Sequence, residues 1–133
     1  MTISDLPLSF DLLKSFNIYF QTTIQSTLDE SPFLDQVLGY HLGWYDQNGK
    51  PTQYNRGKQI RPLLNLLSCG AYGGNTYDVL SMASAIELLH NFSLIHDDIM
   101  DDSHQRRGRD SVWRIWGQNQ AINAGDGAYG LSF

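Results

Sequence analysis

The chain contains one cysteine, Cys69, and a lone cysteine cannot close an internal disulfide. Its neighbours are mostly apolar, so a reducing compartment is expected, and with it a cytoplasmic location. No stretch approaches the roughly 18 consecutive apolar residues of a membrane-spanning helix, so no span is expected. Basic residues are scarce, with 9 Lys and Arg against 14 Asp and Glu, a formal net charge of -5. They form no dense stripe, which argues against a nucleic-acid partner. Met1 to Pro7 lacks the basic segment followed by an apolar run that marks a secretory leader. Runs of alternating β-branched residues are few, and there is neither a low-complexity tract nor an internal repeat. An arrangement of Ser, His and Asp for nucleophilic catalysis is also missing.

What is present is a globular composition, 41% hydrophobic and 17% charged, in 133 residues. That length suits one domain with a real core and is too short for two of ordinary size. Spacings of three and four residues dominate and predict an all-α fold. Leu8, Leu12, Phe16, Tyr19, Phe20, Thr23, Ile24 and Thr27 predict a first helix over about residues 8 to 29. Ser31-Pro32, a cap followed by proline at the first helical position, starts a second helix carrying Phe33, Val37, Leu38 and Leu42. Residues 43 to 56 are polar, with a turn expected at Asn48-Gly49-Lys50-Pro51. A third helix is expected over about 57 to 69, with Pro62 near its start and Gly70, Gly73 and Gly74 ending it. Asn75 and Asp78 resemble a capping box, after which a long, central helix runs to about residue 100. A charged loop over 102 to 111, a short helical piece at Trp113 to Trp116, and a last helix from Gln118 complete the expected order.

The long helix ends in Asp97, Asp98, Asp101 and Asp102, and Arg106, Arg107 and Arg109 follow at once. A helix dipole opposes negative charge at that end, and crowded carboxylates repel one another unless a cation joins them. Asp97 and Asp101, four residues apart, share a face, and Asp98 is rotated to one side. His90 lies two turns before Asp97 on the same face, with Glu87 a turn below. Such carboxylates suit Mg²⁺, whose octahedral shell takes one or two carboxylates plus waters and phosphate oxygens. A frayed, solvated helix end is the bland alternative. Lys58 and Arg61, three apart on one expected helix face, are on their own an ordinary solvated pair. Beside an acidic metal clamp, such basic clusters point to a polyanion bridged by metal, a diphosphate more than a carboxylate.

The sequence resembles the trans-prenyl diphosphate synthases, the farnesyl and geranylgeranyl diphosphate synthase family. The resemblance rests on Gly57-Lys58-Gln59-Ile60-Arg61-Pro62, Glu87-Leu88-Leu89-His90, Leu94-Ile95-His96-Asp97-Asp98-Ile99-Met100-Asp101, Arg106-Arg107-Gly108 and Ala124-Gly125-Asp126, in that order. It covers about residues 50 to 130, whereas the first forty residues carry no motif. It implies that residues 1 to 133 are the N-terminal part of the isoprenoid synthase helical bundle. The implied activity is head-to-tail condensation of isopentenyl diphosphate with an allylic diphosphate. By the same resemblance Asp97 and Asp101 bind Mg²⁺ at the allylic diphosphate, Asp98 supports them, and Arg106 contacts that diphosphate. Lys58, Arg61, His90 and Arg107 hold the isopentenyl diphosphate. Taken alone, His90 is as readily a buried, hydrogen-bonded helix histidine. His96 is assigned to packing or to support of its neighbours.

Product length in the family is set about one turn before the first aspartate-rich motif, where this chain has Phe92 and Ser93. An aromatic wall at Phe92 blocks chain growth by volume while Ser93 leaves room, and the resemblance to family members with one aromatic there implies a product of about C15 to C20. A plain core role for Phe92 fits the same position. Gln59 departs from a place often basic in the family, and Asp110 stands where proline commonly follows the Arg-Arg-Gly loop. Family members are much longer and carry a second aspartate-rich motif that completes the metal site, which nothing after Asp126 matches. The chain is therefore expected to be inactive alone and to need the missing C-terminal half or a complementary chain, in a homodimer or heteromer. A terpene synthase is a second reading, although it needs no second diphosphate site. A non-catalytic regulatory or partner subunit is a third.

Overall fold

The computed structural model describes residues 7–133, with side chains from Asp11 onward. The expectations for residues 1–6 and for the Leu8 side chain lie outside the described residues. The fold is all-α: α1 (Pro7–Thr27), α2 (Pro32–Leu42), α3 (Ile60–Ala71), a 3-10 turn (Thr76–Val79), α4 (Leu80–Met100), α5 (Val112–Trp116) and α6 (Gln118–Leu131). Between α4 and α5 stands a ribbon of two short strands, β1 (Gln105–Arg106) and β2 (Arg109–Asp110). The chain separates into two compact units, one of Met1–Thr27 with Lys58–Glu87, the other of Leu28–Gly57 with Leu88–Phe133.

In the first unit α1 packs on α3. Phe16, Phe20 and Ile24 of α1 are buried, each a turn from the next, and Phe16 and Phe20 stack with centroids 5.3 Å apart. From α3, Leu66 and Pro62 are buried. This helix begins three residues later than its apolar pattern suggested, because Gly57 and Gln59 both have positive φ, 80° and 52°. Pro62 then falls in the first turn, where its missing amide costs nothing. Lys58 is thereby left ahead of the helix, so it and Arg61 do not share a helical face. The unusual Gln59 has a structural use, since its side-chain amide and that of Asn17 on α1 exchange two hydrogen bonds, of 2.9 and 2.7 Å. Asn75 does cap, but it caps the 3-10 turn, its Oδ1 accepting from the Tyr77 amide at 3.1 Å.

In the second unit α2 packs against α5 and α6, and α5 against α6. Its core takes Val37, Leu38, Leu42 and Trp44 from α2 and the segment after it, Leu88 and Ile95 from α4, and Val112 from α5. Ala121, Ala124, Gly125 and Ala128 form the small-residue face that α6 buries. The expected turn after α2 closes on Asp46, whose Oδ1 accepts from the Asn48 and Lys50 amides at 2.8 and 3.0 Å. The segment expected as a charged loop over 102 to 111 is instead a hairpin, with Gln105 opposite Asp110 and Arg106 opposite Arg109. Arg107 and Gly108 fill its two-residue turn with φ of 54° and 80°. Positive φ at both central residues matches the right-handed twist of a tight hairpin, which suits Gly108 and strains Arg107 slightly.

The buried stripe of the long helix α4 mixes apolar and polar side chains. Leu80, Ala83, Leu88 and Ile95 are buried there alongside Ser84, Glu87, Asn91 and Asp98, while Met82, Leu89 and Met100 are exposed.

Candidate functional site

The carboxyl end of α4 is closed by a reverse turn whose pivot is an aspartate. Asp102 takes φ of 50°, its amide donates to the Ile99 carbonyl at 3.3 Å, and the Ser103 amide donates to Asp98 at 2.9 Å. This pair of bonds is the Schellman arrangement, in which glycine is the usual pivot. An acid at that pivot gains nothing from the backbone or from the helix dipole. The turn leads straight into the hairpin, where the Ser103 carbonyl accepts from Ser111 Oγ at 2.7 Å and Trp113 Nε1 at 2.8 Å. Helix end and hairpin are thus clamped together at one carbonyl.

The acids at this end divide into two kinds. Asp98, 3% exposed, receives a two-pronged fork from Arg106, Nε to Oδ2 and Nη2 to Oδ1, both at 2.8 Å. That fork raises the Arg106 guanidinium above its ordinary pKa. Asp97 and Asp101 are exposed, and neither carboxylate has a hydrogen-bond partner among the described residues. No three His, Cys, Asp or Glu side chains among the described residues converge as a metal shell. Two open carboxylates one turn apart do, however, match the part of an octahedral Mg²⁺ shell that protein supplies when waters and phosphate oxygens fill the rest.

Each arginine of the hairpin has a different anchor. Arg109 lies over the rings of Tyr40 and Tyr54, at 4.1 and 4.0 Å, and donates to the Tyr40 and Tyr45 carbonyls, so it works for the fold. Arg107 reaches the His41 carbonyl and Asn91 Oδ1, each at 3.4 Å. His41 itself is buried, and its Nε2 lies 2.9 Å from Asn91 Oδ1. Burial first, then the Arg107 charge, lowers the pKa of this imidazole to about 3, so it is neutral. Neither His41 nor Asn91 was singled out from the sequence, although Asn91 sits on the α4 stripe at helical spacing from Glu87, Ile95 and Asp98.

Of the other residues the motifs highlighted, His90 is half-buried on α4, and its carbonyl accepts from Ser93 Oγ at 2.6 Å. Phe92 meets His96 edge-on at 4.9 Å and Tyr129 at 5.1 Å. His96 ties α4 to α6: its Nε2 is 3.2 Å from the Ile122 carbonyl and 3.6 Å from Asp126 Oδ1. Its ring occupies the space a side chain at Gly125 would need, which explains the glycine of Ala124-Gly125-Asp126 by close approach. Lys58 and Arg61 belong to the first unit and are exposed.

Residues 44–133 match the family model described as polyprenyl synthetase. The chain belongs to the polyprenyl synthetase family. It is 44% identical over 101 residues to a (2E,6E)-farnesyl diphosphate synthase of Mycobacterium tuberculosis, covering 76% of this chain and 28% of that protein. It is 54% identical over 77 residues to a short chain isoprenyl diphosphate synthase of Methanothermobacter thermautotrophicus, covering 58% of this chain and 24% of the relative. Among solved structures, a polyprenyl synthetase from Streptomyces coelicolor A3(2) superimposes with a TM-score of 0.80 at 40% identity, over 92% of this chain and 37% of that one. The chain thus spans only about a quarter of the length of these curated polyprenyl synthetase relatives. Among the described residues no helix is long and apolar enough to cross a membrane.

Proposed function

We propose that this chain supplies the first aspartate-rich motif and the isopentenyl diphosphate site of a short-chain prenyltransferase. The reaction is head-to-tail condensation with an allylic diphosphate, in the cytoplasm. The single observation that carries the reading is the division of labour at the end of α4, where Asp97 and Asp101 stay open and Asp98 is committed to Arg106. Open carboxylates in a family of diphosphate synthases are positioned to take a divalent cation, and Mg²⁺ fits their oxygen chemistry. When bound, that ion neutralises the charge that grows on the departing diphosphate.

The remaining steps belong to the chain's own residues. Asp98 supports the motif by fixing Arg106, whose Nη1 is not used in the fork and is assigned to the allylic diphosphate. Lys58, Arg61, His90 and Arg107 hold the diphosphate of the incoming isopentenyl unit. Carbon–oxygen cleavage leaves an allylic cation, the isopentenyl double bond attacks it, and loss of a proton restores a neutral chain. Preorganised cationic donors lower this barrier, and exclusion of water protects the cation. Phe92, with Ser93 beside it, forms the wall that limits the product to about C15 to C20. In this reading residues 1 to 133 form the N-terminal portion of one helical domain. The part of the fold that relatives carry beyond this stretch, or a complementary chain, completes the cavity in a homodimer or heteromer.

The test is incubation of the chain, alone and with that complement, with Mg²⁺, isopentenyl diphosphate and allylic diphosphates of several lengths. Elongated products of about C15 to C20, identified by mass, are expected from the complete assembly. Cyclised hydrocarbon formed without isopentenyl diphosphate would instead support a terpene synthase, and no product in any mixture would leave the non-catalytic subunit as the leading reading. Asp97→Ala in the active assembly should lower Mg²⁺-dependent turnover by about 100-fold or more. Undiminished turnover would remove Asp97 from the metal site.

A further inference from the structure

Two buried polar side chains behind the hairpin have no part in the reaction so far described. Asn91, 1% exposed on α4, directs Oδ1 at both His41 of α2 and Arg107 of the hairpin turn. The Arg107 guanidinium in turn places Nη1 on the His41 carbonyl, so one cation bridges α2 and α4. Behind it stands Gly57, where an added Cβ would lie only 3.1 Å from Nη2 and 3.3 Å from Cζ. The backbone of Arg107 is itself in the left-handed region, φ 54°.

The direction of each proton follows from chemistry. A guanidinium only donates, so Asn91 Oδ1 accepts from Arg107. The same oxygen faces His41 Nε2, which therefore carries the hydrogen and donates as well. His41 is held neutral by burial and by the guanidinium groups of Arg107, Arg106 and Arg109, with the bond to Asn91 acting in the opposite sense. It thus presents one fixed hydrogen to Asn91 across the working range of pH. An apolar pair of the same volume would fill the space without any polar group to satisfy. A buried amide gripped from behind by a neutral imidazole, and aimed at a guanidinium on a strained turn, is suited to setting the direction of that guanidinium.

We propose that Asn91 and His41 are positioning residues for Arg107: the Asn91 side-chain carbonyl, fixed by the His41 ring, aims the guanidinium at the isopentenyl diphosphate. The proposal rests on the assignment of Arg107 to that diphosphate. Misdirection of one charge in a diphosphate site weakens binding of the substrate it serves and leaves the other substrate's site intact.

The experiment measures KM for each substrate in the complete, active assembly with Mg²⁺, using Asn91→Leu, Asn91→Asp, His41→Leu, His41→Gln and Arg107→Leu. Asn91→Leu should raise KM for isopentenyl diphosphate about tenfold while the allylic KM stays within about twofold. Asn91→Asp keeps the acceptor and should return KM to within about threefold of the parent. Should Asn91→Leu not fold, the His41 pair decides: Gln keeps a donor and should preserve KM, whereas Leu should raise it. An isopentenyl KM unchanged in both Leu variants, or a loss spread equally over both substrates and unrescued by Asp or Gln, overturns the proposal. If Arg107→Leu leaves that KM unchanged, the diphosphate assignment of Arg107 fails first, and the proposal with it.

Discussion

In the hairpin, Arg106, Arg107 and Arg109 are half-buried, and each reaches a named acceptor: Asp98, Asn91 with the His41 carbonyl, and the Tyr40 and Tyr45 carbonyls. At the entry to α3, Lys58 and Arg61 are exposed, and Gln59 between them is bonded across to another helix, through Asn17. Both segments are basic and both are assigned to diphosphate. The hairpin's charges are partly desolvated and directed before any ligand arrives, so their geometry is preorganised and their removal is felt by the fold. The exposed Lys58 charge at the α3 entry contributes little to stability, because water screens it. Folding and binding are therefore coupled in one segment and separable in the other.

The largest expected effect strikes the hairpin side. Asp98→Ala strands the Arg106 guanidinium in a partly buried place and should cost about 3 kcal/mol of unfolding free energy, read by urea denaturation. A loss under about 0.5 kcal/mol would erase the contrast between the segments.

Next in size is a dependence on pH. The folded pKa of His41 is depressed to about 3 from an ordinary 6.5. An unfolded chain takes up this proton below about pH 6.5 and the folded one does not, so the stability it confers is present above that value and lost as pH falls. The expected loss is about 1.4 kcal/mol per pH unit, or about 2 kcal/mol between pH 6.5 and 5. Urea midpoints across that range measure it, and His41→Gln should flatten the slope. A slope that survives in His41→Gln would assign it to another group.

The smallest effect on stability is reserved for the α3 entry. Lys58→Ala should change unfolding free energy by less than about 0.5 kcal/mol, yet raise KM for isopentenyl diphosphate about tenfold. Destabilisation comparable to that of Asp98→Ala would show that Lys58, too, is part of the fold.

Helix order was legible because three- and four-residue spacings and the Ser31-Pro32 start are local signals. The apolar residues of the Phe16, Phe20 and Ile24 face are buried as their periodicity requires. Less legible was the start of α3: its leucines extend the periodicity toward Gly57, but positive φ at Gln59 delays the first turn, and the reason is an amide pair with Asn17, 42 residues away. The hairpin escaped for a related cause. Strands of two residues carry no alternation to read, and Arg107 holds a positive φ that its residue type does not advertise.

The candidate site divides in the same way. Spacing alone placed Asp97 and Asp101 on one face of the expected helix, since that follows from the turn of a helix. It also brought His90 and Glu87 into the account. What spacing could not state is which acid the protein keeps for itself. Asp98 is the committed one because the hairpin folds Arg106 back onto it, eight residues on, where the end of α4 buries its carboxylate.

The sequence by itself determined a helical chain of the polyprenyl synthetase family, the order of its helices, and the aspartates and basic residues proposed to carry its chemistry. These depend on local periodicity, capping and short motifs, all written in neighbouring residues. Only the tertiary structure decided that Asp97 and Asp101 stay open while Asp98 closes on Arg106, and that His41 meets Asn91 across 50 residues of chain. Desolvation and hydrogen-bond geometry make those choices, and both depend on what the fold packs against each side chain.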